Sequence, residues 1–309
     1  MILIYSFIGR LPSYIIETVY QLRLYFNGDI YLILDDLESV YLKKLINEYS
    51  VKLINYYNLK SGSEEITELE KNFNKFLITK ENGDRELLFY RSFERLFLIN
   101  QLIKLLNLKD VISLELDNLI YDNPTNWLKE LQKKELAFML SSKEHCSCGV
   151  IYIKDDNSLK PLIKFMLEYI NKTQDYYCSE MKCLYEYIYN INKEDSQLLP
   201  VIFKSDTDSL IENDDLYKNY DNYESIFDPS FYGIYLLGKD LIHTNGELKL
   251  YQDYPEYYIR PAIYEIKWMD KEGLRRPYIY NKNKDKWILI NNLHVHSKRL
   301  ELGLSRPVE

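Results

Sequence analysis

Between residues 2 and 55 the chain alternates apolar runs of strand length with stretches of helical periodicity, and no other feature limits its fold as tightly. Residues 2–9 read as a short apolar strand closed by Gly9-Arg10-Leu11-Pro12-Ser13. Ser13 stands where it can cap the next segment, in which Ile15, Ile16, Val19, Leu22 and Phe26 form a helical stripe. Residues 29–36 give a second strand ending in Asp35-Asp36, a helix follows from about 39 to 49, and Val51 to Asn55 gives a third strand. Strand, helix, strand, helix, strand opens a parallel, doubly wound sheet, hence an α/β fold. Ligands of such sheets lodge beyond the carboxyl ends of the strands, so Ser6 to Gly9 and Asp35 should share one rim.

The stretch from Asp110 to Tyr121 carries the clearest chemistry. Read as a buried strand, it places Glu115 and Asp117 one residue apart and therefore on one face. Two hard oxygen ligands at a strand end suit Mg²⁺ or Mn²⁺, above all when a substrate adds phosphate oxygens. The competing reading is a strand that runs out into an acidic turn. The helix expected before it, from about 86 to 106, bears Arg91 and Arg95 four residues apart and so on one face. Glu86 and Glu94 are the ordinary salt-bridge partners for that pair.

Further along, residues 58–86 read as a loop or flap with a short helix through 64–76. Pro124-Thr125-Asn126 should cap a helix over 127–134, with strands at 136–140 and 148–154, the latter entered through Gly149 where another backbone can approach closely. Helices are expected at 159–170 and 179–189, and residues 205–224 form an acidic irregular loop. With no internal repeat and no Gly- or Ser-rich linker, the 309 residues suggest one compact domain with two halves, 1–125 and 126–309.

Composition excludes several classes. A hydrophobic fraction of 46% with 28% charged residues is that of a soluble globular chain. The net charge of −8 argues against a nucleic-acid partner, which needs a basic face, while leaving room for one small anionic ligand. Thirty Tyr against 12 Phe, amid many Ile, Lys and Asn, reads as AT-rich codon bias and not as a stacking platform. No run approaches the ~20 apolar residues of a membrane span. Met1 to Gly9 lacks the basic lead of a signal peptide, so a cytoplasmic location is expected. Cys146, Cys148, Cys178 and Cys183 cluster beside His145, but without the Cys-x-x-Cys spacing of a zinc knuckle reduced, partly buried thiols are the expectation.

Four segments stand in a telling order after the first strands. Tyr90-Arg91-Ser92-Phe93-Glu94-Arg95 precedes Ser113-Leu114-Glu115-Leu116-Asp117-Asn118; then come Ile226-Phe227-Asp228 through Gly233, Tyr235 and Gly238, and Asn291-Asn292-Leu293-His294-Val295-His296-Ser297-Lys298. In this order and spacing the chain resembles a group of GT-A fold glycosyltransferases of viruses and bacteria. In that group an arginine-bearing helix precedes a Glu-x-Asp form of the DxD motif, a Phe-Asp-x-x-x-x-Gly-x-Tyr-x-x-Gly element follows, and a Leu-His-x-His-Ser-Lys signature closes the chain. Ser179 to Tyr185 is loosely similar to an acidic-Met helix start. Ile234 stands where a Gln is common and Leu237 where a Gly is common, departures that bear on donor or acceptor contacts.

The resemblance implies a Rossmann-like, mostly parallel central sheet flanked by helices. Residues 1–125 would bind a nucleotide diphosphate sugar, and 126–309 would supply the acceptor half and a metal-binding tail. The implied activity is Mn²⁺- or Mg²⁺-dependent transfer of the sugar to a glycan or other hydroxyl acceptor, in the host cytoplasm if the chain is viral. Asp117 would be the direct metal ligand and Glu115 a contact of the ribose or of the metal's water shell. His294 and His296, two apart on an expected strand from 288 to 296, would face one way, so either could reach the metal. Lys298 would meet the leaving phosphates, its plain alternative being a solvated basic tail. One of Arg91 and Arg95 would pair with the diphosphate or the acidic strand end and the other would be structural, while Ser6, Gly9 and Asp35 would line the base and ribose. Asp228 or Glu180 could serve as general base in an inverting enzyme, although Asp228 could equally cap a helix over 230–237.

Two other classes remain open at this point. A sugar nucleotidyltransferase would carry a Gly-rich basic loop after the first strand, of which Gly9-Arg10-Leu11-Pro12 is a weak version. A non-catalytic carbohydrate-binding protein with a degenerate transferase fold would have no need of the carboxylates and both histidines.

Overall fold

In the computed structural model the first three strands pair in parallel, as the alternation of strand and helix in the sequence implies. The structure describes residues 1–77, 84–173, 179–204, 213–239 and 259–308. β1 (Ile2–Phe7), α1 (Ile15–Arg23), β2 (Ile30–Leu34), α2 (Leu42–Asn47) and β3 (Val51–Asn55) form the opening parallel unit, with Leu3 opposite Ile30 and Ile30 opposite Val51. Three helices follow, α3 (Tyr56–Ser61), α4 (Glu64–Leu77) and α5 (Asp84–Leu106), before β4 (Val111–Leu114) returns to the other side of β1, with Ile4 opposite Ser113. After β5 (Asn118–Ile120) and α6 (Leu128–Leu131) come β6 (Leu136–Ser142), β7 (His145–Ile153), α7 (Asp156–Lys172), α8 (Glu180–Asn190) and β8 (Ser196–Leu199). The seven-stranded sheet runs β3-β2-β1-β4-β7-β6-β8, and only β7 is antiparallel to its neighbours. The fold is therefore mixed α/β with a mostly parallel central sheet. Its chain order reverses between β1 and β4, the switch point at which doubly wound sheets open a crevice.

Burial explains the composition of these elements. Leu3, Ile4 and Tyr5 of β1, Leu32 and Ile33 of β2 and Ile112 of β4 are fully buried, as strands covered on both faces require. Helix α5 is apolar almost all round from Phe93 to Ile103 because it packs against β1, α3, α4, α7 and α8 at once.

The remaining elements are α9 (Tyr220–Tyr223), α10 (Phe231–Leu237), an antiparallel sheet of β9 (Ile266–Lys271), β10 (Leu274–Asn281) and β11 (Lys286–Leu289), and β12 (Asn292–His294). Two strands expected to be continuous are broken. The acidic strand stops at Leu114, turns through Leu116 and Asp117, and resumes as β5, which leaves the main sheet to pair with β12. The expected strand over 288–296 divides into β11 and β12, because Ile290 bridges to Ile226 between them, and His296 falls in the turn beyond. Smaller differences follow local chemistry. Tyr14, not Ser13, precedes α1 without a side-chain cap bond, and Asn123 caps the turn at 124–127 by accepting from Thr125 N. Of the stretch 58–86, expected as a loop or flap with a short helix through 64–76, that helix is present as α4, α3 adds a further helix before it, and residues 78–83 lie outside the described residues. Part of the acidic loop, residues 205–212, and Cys178 lie outside the described residues.

Candidate active site

The turn that carries Glu115 and Asp117 is built by three separate parts of the chain. Glu115 N donates to Gly149 O on β7 at 3.2 Å, and Asn118 N closes the turn on Glu115 O at 3.0 Å. From α1, Thr18 Oγ1 donates to Leu116 O at 2.5 Å; from the C-terminal segment, Val295 N donates to Asp117 O at 2.7 Å. The carboxylates thus stand at the carboxyl end of β4, beside the end of β1, and a tight turn rather than strand alternation brings them together.

His294 joins them through β12, where it lies opposite Asn118 of β5. Its Nε2 is 3.1 Å from Glu115 Oε2 and 3.3 Å from Asp117 Oδ1. One ligand atom from each of Glu115, Asp117 and His294 falls within 4.8 Å of the others, the one such acid and imidazole group among the described residues. Two glycines make room for this approach. A Cβ on Gly149 would lie 2.9 Å from Asn118 Nδ2 and 3.3 Å from His294 Nδ1, and one on Gly233 would lie 2.1 Å from His294 O. Gly149 thus gives the close approach its residue type suggested, although it sits inside β7 and not at its start.

Cations surround the acids. Arg95 Nη1 donates to Glu115 Oε1 at 2.5 Å, and Lys298 Nζ donates to Asp117 Oδ2. Burial favours the neutral form of Asp117, but the His294 and Lys298 charges outweigh it and hold the carboxyl far below its usual range. Glu115 is likewise held low against its burial, by Arg95 and then His294. Burial disfavours a charged His294, yet Asp117 and Glu115 raise its pKa to about 9, so without a metal it is an imidazolium at neutral pH. His296 packs its ring edge against His294, with centroids 4.6 Å apart. Burial, then the His294 charge, lowers its pKa to about 3, so it is neutral.

The two arginines of α5 separate. Arg91 pairs with Glu94 on its own helix and points one nitrogen at Tyr56 OH, 3.4 Å away. Arg95 reaches the acidic turn, and its Nε and Nη2 are buried without a partner among the described residues. Glu180, the first residue of α8, is 7% exposed. Its pKa is pushed up to about 7 by burial, and Arg95 opposes the shift.

Other expected site residues have plain surroundings. Gly9, at φ +117°, donates its N–H to Asp35 Oδ1 at 2.8 Å, and Leu11 N donates to Asp36 Oδ2 at 3.0 Å, so these carboxylates hold the loop after β1. Ser6 Oγ is buried without a partner among the described residues. Asp228 is fully buried, with Oδ1 accepting from Ser230 N and Tyr232 N at 2.9 and 3.0 Å and Oδ2 from Gly233 N and His294 N at 2.7 and 3.0 Å. Burial raises its pKa and those donors pull it back. Cys146 and Cys148 are buried free thiols, and Cys183 is buried. Tyr14 was not signalled by any spacing, yet it faces the charges of Lys298, Asp117 and Glu115; burial chiefly raises its pKa, to about 12. Asn118 and Asn292, a buried amide pair bonded at 2.7 Å, also escape a motif reading because nothing in their spacing predicts that β5 and β12 meet.

No family model matches this chain, and no curated protein does. Among solved structures it is similar to the glycosyltransferase GlyE of Streptococcus pneumoniae TIGR4, at 15% identity and TM-score 0.40 over 64% of this chain and 44% of that one. Mouse xyloside xylosyltransferase 1 aligns at 12% identity and TM-score 0.42 over 64% and 84% of the two chains. The galactosyltransferase LgtC, solved with donor and acceptor sugar analogs, aligns at 11% and TM-score 0.46 over 65% and 73%. The chain thus spans less than half of GlyE. All three neighbours are glycosyltransferases, but likeness this distant leaves the chemistry to be read from the chain's own side chains.

Proposed function

We propose that this protein is a metal-dependent glycosyltransferase of the GT-A type, moving a sugar from a nucleotide diphosphate sugar to a glycan or other hydroxyl acceptor. The observation that carries the reading is the convergence of Glu115, Asp117 and His294 at the switch point of the sheet. Two carboxylates and an imidazole nitrogen suit Mn²⁺, and Mg²⁺ when phosphate oxygens complete the sphere. When bound, the ion supplies Lewis-acid stabilisation of a diphosphate leaving group.

The chain's own residues then divide the work. Asp117 and His294 Nε2 hold the ion; Glu115, with one oxygen fixed by Arg95, presents the other to it or to its water shell. Lys298 turns its ammonium from Asp117 to the leaving phosphates. Ser6, Gly9 and Asp35 border the base and ribose from the ends of β1 and β2, while Arg91 serves its own helix. Glu180, with a pKa near neutrality, is the carboxylate we assign to taking the acceptor's proton if the enzyme inverts. His296 supports the His294 ring. Residues 1–125 form the donor half and 126–309 the acceptor half with its metal-binding tail.

A nucleotidyltransferase fits less well, because the N–H groups of Gly9 and Leu11 face Asp35 and Asp36 instead of standing open to phosphate. The test is a thermal-shift and hydrolysis screen of nucleotide sugars with and without Mn²⁺. A metal-dependent shift that disappears in Asp117→Ala supports the reading; a shift unchanged by that substitution, or no binding of any nucleotide sugar, sinks it.

A further inference from the structure

We infer that Asp228 is a positioning residue, which sets the place of His294 in the site without touching metal or substrate. The inference rests on the metal-site reading above.

Asp228 cannot reach an acceptor hydroxyl as a base does. Its side chain is fully buried, and both oxygens are engaged by four backbone N–H groups. Three of these belong to the start of α10, a task that a Ser or Asn cap performs without burying a charge. The fourth belongs to His294, 66 residues away. One carboxylate therefore fixes the distance between α10 and the histidine's backbone.

Its neighbours hold the same geometry from behind. Asn292 Oδ1 accepts from Asp228 N at 3.0 Å, and Asn292 Nδ2 donates to Asp228 O at 2.9 Å and to Asn118 Oδ1 at 2.7 Å. The loop is thereby tied both to the residue two before His294 and to the residue opposite it on β5. Pro229 O lies 3.4 Å from His294 Nδ1, on the ring edge opposite Nε2. A proton on Nδ1 directed at that carbonyl leaves Nε2 as the free lone pair toward Glu115 and Asp117, the usual outer support of a metal-bound imidazole. Gly233 completes the cradle, since a Cβ there would lie 2.1 Å from His294 O and 2.9 Å from Asp228 Oδ2.

The experiment is a double-mutant cycle on the full chain, with Mn²⁺ affinity read by calorimetry and the fold checked by metal-free thermal melting. Asp228→Asn should weaken Mn²⁺ binding about 10- to 100-fold in the wild-type background and leave it unchanged in His294→Ala, because the effect passes through the histidine. Equal weakening in both backgrounds, or a folded Asp228→Asn that binds Mn²⁺ as wild type does, overturns the proposal. If Asp228→Asn does not fold, Asn292→Ser enters the same cycle with a several-fold loss expected, and an unchanged affinity there overturns it. Failure of both variants to fold also ends it, by making the residue purely structural. The metal-site reading fails separately, if His294→Ala alone leaves Mn²⁺ binding intact.

Discussion

Two acidic clusters stand along α5, one turn apart, and they solve the burial of charge differently. Around Glu94, fully buried, Tyr56 OH and Tyr90 OH donate at 2.7 and 2.8 Å to one oxygen while Arg91 takes the other. One anion meets one cation and two neutral donors, and the cluster is closed. Around Glu115 and Asp117, two anions draw Arg95 from α5, Lys298 from the C-terminal segment and a proton onto His294. The first cluster takes its cation from the acid's own helix and its neutral donors from two buried tyrosines; the second uses a proton and a long side chain that can both be displaced. Those exchangeable cations mark where the proposed divalent ion would enter.

The largest expected effect separates the clusters by stability. Glu94→Ala should cost on the order of 3–5 kcal/mol, toward the lower end because Arg91 can turn to water, with Mn²⁺ affinity unchanged in the folded fraction. Denaturant unfolding beside metal titration checks both halves, and a parallel loss of Mn²⁺ binding would break the contrast. Next comes Asp117→Asn, which keeps the shape of the turn. It should lower Mn²⁺ affinity by at least about 100-fold, beyond what loss of an outer partner does, and it should also lower the urea midpoint, because His294 and Lys298 lose the charge they face.

These contrasts also mark what the sequence makes legible. The parallel order of β1 to β3 could be read because strands buried on both faces must be continuous apolar runs. The acidic pair and the His-x-His pattern could be read because metal-binding residue types are few. Where β4 ends could not, since the turn at Leu116 and Asp117 depends on Thr18 and Val295, about a hundred residues before it and nearly two hundred after. Nor could the sequence separate His294 from His296, because the break between β11 and β12 is made by a bridge from Ile290 to Ile226. Both arginines of α5 look alike by spacing, and only the packing shows that one faces Glu94 and the other Glu115.

Acidity sharpens the comparison further. His294 has its pKa raised from 6.5 to about 9 in the metal-free fold. A raised value stabilises the folded state fully below pH 6.5, and that contribution is lost as pH rises through about 9. The loss should be ~3 kcal/mol, visible in metal-free melts and absent from His294→Ala. Mn²⁺ must displace the same proton, so its affinity should climb with pH, up to about tenfold per unit, and level off above pH 9. A flat profile would remove His294 from the metal.

The smallest effect concerns Lys298, which sits at φ +59° in the turn after His296 and lends its ammonium to Asp117. Its side chain is 44% exposed, so the pair is worth only ~0.2–1 kcal/mol. Replacing it with Met removes a competitor for Asp117, and Mn²⁺ alone should then bind up to about fivefold tighter. In the proposed reaction the same ammonium meets the diphosphate, so a nucleotide diphosphate added with Mn²⁺ should bind more weakly to Lys298→Met. Calorimetric titration of metal, then of nucleotide, reads both signs on one sample. Opposite shifts make Lys298 a cation that stands on the carboxylate until the metal arrives and then serves the phosphates. If neither moves, Lys298 belongs to a solvated tail, and the acidic turn holds its charge with Arg95 and the His294 proton alone.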